Sequence, residues 1–147
     1  MKLPPSQPSA PDARLLKVAL QGDLAGMCAA LAAGASPNAR QSGTKEGWTA
    51  LSCAVLSGNV DAVQLLLEAG AEVNALCFDG TTALHKACLW QHVRIANFLL
   101  GYGADPTIPD QDGWTAGQLA AAQGNQELLQ LLAAHIAAHI SVPGVNR

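Results

Sequence analysis

The sequence predicts an all-α solenoid of about four helix-turn-helix repeats joined by hairpin loops. Three observations carry that prediction. Gly47-Trp48-Thr49-Ala50, Gly80-Thr81-Thr82-Ala83 and Gly113-Trp114-Thr115-Ala116 recur about 33 residues apart. Ala54, Ala87 and Ala120 keep that spacing, as do the apolar pairs Leu65-Leu66, Phe98-Leu99 and Leu131-Leu132. Gly70-Ala71 and Gly103-Ala104 mark where two units end. A unit of this kind buries one face and needs neighbours for the other, so the fold follows from stacking.

The units can be justified in order. Residues 1–11 hold four prolines and little to bury, and a disordered leader is expected there. From Asp12, a carboxylate suited to a helix start, the run Leu15-Leu16-Val18-Ala19-Leu20 reads as a short helix. Gly22-Asp23 turns the chain, and Leu24 to Ala32 make a second helix closed by Gly34. This first unit lacks the Gly-x-Thr-Ala signature, as suits a terminal cap. Three extra residues, Gln41-Ser42-Gly43, lengthen the next hairpin. Such an insertion is tolerated at little cost in closure entropy, or else it is a longer finger carrying Arg40 and Lys45. The second unit runs from Trp48 to Asn74 with Gly58-Asn59 at its corner.

The third unit is the clearest. Thr82 is a good N-cap, because its hydroxyl can accept a backbone N–H left over by the first turn. Val93, Ile95, Ala96, Leu99 and Leu100 give one broad apolar helical face, and Gly103 closes it. Gln91 replaces the corner glycine; if positive φ is kept there, the cost is about 1–2 kcal/mol. In the fourth unit Gly117 stands where Leu51 and Leu84 sit earlier, and the last helix is expected to run on to Ile140 with a polar stripe of Gln123, Gln126, Glu127 and Gln130. The expected organisation is a leader at 1–11, a repeat domain at 12–140 with units near 12–40, 44–76, 77–109 and 110–140, and a flexible tail at 141–147.

The signature Thr82-Ala83-Leu84-His85, with its spacing, resembles the ankyrin-repeat family, which usually has proline where Ala83 stands. That resemblance covers residues 12 to 140. It implies a non-catalytic protein-interaction module, an adaptor, inhibitor or scaffold, whose partner sits in a concave face made by hairpin fingers and first helices. It also implies that His85 hydrogen-bonds around the start of its own helix and the adjacent loop. Asn74, after Leu66 and Glu72-Val73, resembles hairpin asparagines that an oxygenase can hydroxylate; its simpler role is to hydrogen-bond the turn.

Composition sets bounds on function. The chain has 147 residues, a net charge of −3 and only 4% aromatics. No basic footprint for nucleic acid appears, and no run is long enough to span a membrane. Cys28, Cys53, Cys77 and Cys88 form no CxxC pair and read as reduced, mostly buried thiols. A monomer in the cytoplasm, or the nucleus, is expected. No nucleophile or orienting carboxylate accompanies His85, so no enzyme and no cofactor are expected. His135 and His139 lie one helical turn apart but lack a third ligand. A metal-binding or redox protein built on His and Cys, and a self-associating structural protein, are the alternatives.

Partner-binding residues are sought among the rare aromatics. Trp48 and Trp114 fall inside the signature, Phe78 and Asp79 on a finger, and Leu56, Leu89 and Trp90 at the ends of first helices. Tryptophan is enriched among residues that dominate interface energy, so these seven form the expected site. Asp79, Asp105, Asp110 and Asp112 gather on the later fingers, opposite Arg40 and Lys45, which suggests a polarity for partner recognition.

Overall fold

A computed structural model of the chain describes residues 10–42 and 47–140. Among them are eight helices: α1 (Ala10–Gln21), α2 (Leu24–Ala32), α3 (Ala50–Ser57), α4 (Val60–Glu68), α5 (Ala83–Leu89), α6 (Val93–Gly101), α7 (Ala116–Gln123) and α8 (Gln126–Ile140). They pair as α1–α2, α3–α4, α5–α6 and α7–α8, and the pairs stack in chain order. First helices form one row, α1 on α3, α3 on α5, α5 on α7; second helices form the other, α2 on α4, α4 on α6, α6 on α8. The extended backbone between pairs contributes one isolated bridge, Arg40 to Thr49, among the described residues.

Local chemistry sets the helix limits. Thr49, Thr82 and Thr115 accept the backbone N–H three residues on, and the last two complete capping boxes with His85 and Gln118. Asp23 caps α2 in the same manner, and Asn59 caps α4 by accepting from Asp61 N, two residues on. Second helices end alike: Ala35, Ala71 and Ala104 donate back to Ala30, Leu66 and Leu99 over a glycine at positive φ, which satisfies carbonyls the helix leaves open. The corner between α5 and α6 keeps the left-handed backbone of its equivalents, with Gln91 at φ 61°.

The core is one continuous cluster from Leu15 to Leu132. Ala54, Ala87 and Ala120, at one register position of successive first helices, are wholly buried, and methyl side chains there let those helices approach closely. Leu66, Leu84, Ile95, Leu99 and Leu128 fill the space between the rows.

One expectation is adjusted. The first helix begins at Ala10 rather than Asp12, and the Asp12 Oδ1 accepts from Ser36 N at 2.7 Å, tying α1 to the turn after α2. The thiols are mostly buried, as expected: Cys53, Cys77 and Cys88 are buried, Cys28 is exposed, and all four are free. The last helix does run to Ile140. The expectations for Gly43, Lys45, most of the leader, the tail and the His139 side chain lie outside the described residues.

Candidate functional site

Three of the expected residues, Trp48, Asp79 and Trp90, lie around one that sequence reasoning missed. Lys86, the fourth residue of α5, is only 4% exposed. Its Nζ lies 4.8 Å from the centre of the Trp48 ring, 6.0 Å from that of Trp90, and 3.5 Å from Asp79 Oδ2. The two indoles meet edge to face, with centroids 6.4 Å apart and planes at 77°. The ammonium lies over both aromatic rings, its charge answered by a carboxylate. The available signal was a charge at a helix position that holds Cys53 and Leu119 in the units on either side.

Trp48 is therefore half-buried, packed against the core, and not simply presented; its Nε1 is buried with no acceptor among the described residues. Trp90, by contrast, shows 43% of its surface while Trp48 and Lys86 support its inner side. Leu89 beside it is exposed, and Leu56, at the same place one unit earlier, is half-buried. Trp114 is exposed, and its carbonyl accepts from His85 Nε2 at 2.9 Å. Because Nδ1 of that histidine accepts Thr82 N–H at 3.0 Å, the proton sits on Nε2, and the ring ties one unit's cap to the next unit's signature.

Phe78 is the most exposed of these groups, at 54%. Its ring lies against Gly47, where a Cβ would come within 2.2 Å of it, so only glycine fits there. The Arg40 guanidinium stacks 5.3 Å from the Phe78 ring and donates to the carbonyls of Gly47 (3.0 Å) and Leu76. Arg40 is thus committed to joining two fingers. The acidic residues are similarly engaged: Asp79 accepts from Thr81 N and Oγ1, Asp105 from Thr107, and Asp110 from Asp112 N and Trp114 N. Turn geometry explains why Asp occupies those places. Asn74 bridges fingers as well, donating to Gly103 O at 3.2 Å and accepting from Asp105 N at 2.8 Å.

Elsewhere, a cavity of about 420 Å³ opens between Asn74, Asp105, Thr107, His135 and Ile136. Among the described residues no three His, Cys, Asp or Glu side chains are grouped to hold a metal, and no helix is long and apolar enough to cross a membrane. Burial pushes the Cys53 and Cys88 thiols up to about 12.

The sequence matches a family model described as ankyrin repeats (3 copies) over residues 15–110. It is 50% identical over 62 residues to an ankyrin repeat and LEM domain-containing protein 1 homolog of Caenorhabditis elegans, covering 42% of this chain and 9% of that protein. It is 40% identical over 83 residues to human BCL-6 corepressor-like protein 1, covering 56% of this chain and 5% of that protein. With protein phosphatase 1 regulatory subunit 27 of Mus musculus it shares 42% identity over 67 residues, 46% of this chain and 44% of that protein. The matched stretch spans less than half of each relative.

Proposed function

Because this chain belongs to the ankyrin-repeat family, we propose that it is a non-catalytic binding module whose protein partner docks across Phe78, Leu89 and Trp90, with Leu56, Asp79 and Trp114 at the margins. The observation that carries this reading is the exposed Trp90 ring backed by Lys86 and Trp48. A large aromatic held in place loses little freedom on docking, so its burial is returned as affinity. Trp48 then acts as support for the contact residues. The partner is a protein rather than a nucleic acid, since the net charge is −3 and, among the described residues, the cations on this side, Arg40 and Lys86, are already engaged. An adaptor or inhibitory role suits such a module, and one relative is itself named a phosphatase regulatory subunit. The working compartment is the cytoplasm or the nucleus.

The test begins with a partner identified by affinity capture and then purified. Binding of that partner to Trp90→Ala and Phe78→Ala chains should weaken at least about tenfold each. Glu68→Ala, on the exposed surface of α4, should leave it unchanged. Equal binding by all three would overturn this choice of face.

A further inference from the structure

The joint between the second and third units has two unmated halves, one at each end of the stack. The left-handed corner residues Gly22, Gly58, Gln91 and Gly124 put the first helices in a common register. Five residues before each corner stand Lys17, Cys53, Lys86 and Leu119; Cys53 and Lys86 are buried, Leu119 is half-buried, and Lys17 is exposed. Three residues before each corner stand Ala19, Val55, Cys88 and Ala121, of which only the last is exposed. The first position therefore faces the preceding unit and the second faces the following one.

Trp48 belongs to the second unit and receives Lys86 of the third over its ring. The same pair of residue types recurs in the outer units, with nothing stacked beyond them among the described residues. Trp114 precedes the cap Thr115 as Trp48 precedes Thr49, and it is 44% exposed. Lys17 takes the place of Lys86 and lies on the outer face of the first unit, beside Leu20, which is 45% exposed. Charge agrees locally with the pairing: Arg14 and Lys17 are exposed on α1, where Asp12 accepts from Ser36 N, and Asp110 and Asp112 flank Trp114 in the last finger. At these two register positions lysine and tryptophan meet once internally, Lys86 on Trp48, and Lys17 and Trp114 stand at the two ends of the stack.

We propose that a second copy of this chain stacks its first unit on the fourth, with Lys17 of one copy over Trp114 of the other. The arrangement replaces the monomer expected from the sequence and goes beyond the partner face described above: it shares only the marginal Trp114 with that face, and Phe78 and Trp90 take no part in it. Both surfaces differ, so the contact is heterologous and copies extend in a row instead of closing as pairs.

Analytical ultracentrifugation of the full 147-residue chain tests this. The weight-average mass should rise with concentration above the 15.1 kDa of one chain, without levelling at a dimer. Lys17→Glu and Trp114→Ala should each hold it at one chain, with circular dichroism unchanged because both side chains are exposed. An equimolar mixture of the two variants should recover dimers and nothing larger, because each supplies the end the other lacks. A chain that stays monomeric at every concentration would overturn the proposal and leave the two faces to a different protein. So would association that neither variant weakens, or a mixture that stays monomeric.

Discussion

Lys86 carries a charge where a first helix is otherwise apolar, and its neighbours account for that. An ammonium removed from water is costly unless it is paired, and here two indole faces and the Asp79 carboxylate surround it. Burial alone would raise the Asp79 pKa. Hydrogen bonds from the Thr81 hydroxyl and backbone, together with Lys86, outweigh it and hold the carboxyl below its ordinary value. A folded pKa below the unfolded one means that the contribution to stability is complete above the unfolded value and is lost as pH falls through the folded one. The stability gap between the native chain and Asp79→Asn should therefore be widest at neutral pH and shrink below about pH 4. Urea titrations at pH 7 and pH 3 measure it, and a gap that did not change would remove the charge from this account. The thiols follow from burial too. Burial pushes Cys53 and Cys88 up to about 12 and keeps Cys77 from reagent as well, so alkylation of the folded chain at pH 8 should modify exposed Cys28 alone. Mass spectrometry should find one adduct on the native chain and four in urea.

Helix ends and corners were the most legible elements, because a cap is decided within a few residues. Thr82 announces its own helix, and the glycines after α2, α4 and α6 announce their closures. The corner at Gln91 was legible only as a choice between strain and a different turn, and the chain keeps the left-handed backbone. Relieving that strain is a test. Gln91→Gly should stabilise the fold by about 1 kcal/mol, since its side-chain bond to Asn125 is exposed and contributes little. Gly58→Ala should do the reverse by about 1–2 kcal/mol, at φ 75° and with the His92 ring 3.3 Å from the added Cβ. Chemical denaturation of both variants gives the comparison. Less was legible where a residue's role depends on another unit. Trp48 reads locally as a presented aromatic, and only Lys86 and Trp90 of the next unit make it a packing residue. The aspartates read as a recognition polarity, whereas those at 79, 105 and 110 accept hydrogen bonds within their turns and Arg40 joins two fingers.

Across the whole molecule the principal contacts run within a helix pair and to the adjacent pairs, so stability should propagate from neighbour to neighbour. The family match stops at residue 110, yet α7 and α8 repeat the same device with a capping box at Thr115 and a left-handed corner at Gly124. Gly117 removes a leucine from that unit, and α7 buries only Ala116 and Ala120, so the fourth pair rests largely on Leu128 and Leu132 beneath it. The fourth pair should therefore be the weakest link of the row. Leu128→Ala should cost about 2–5 kcal/mol through the cavity it leaves, and the loss should be local. In native-state hydrogen exchange the amides of α7 and α8 should lose protection while α1 to α4 keep theirs. Leu66→Ala, which empties the middle of the stack, should instead lower protection on both sides, because each end is held by the units between. If Leu128→Ala lowered protection equally in all eight helices, the chain would be one cooperative block and neighbour-by-neighbour stacking would not describe it.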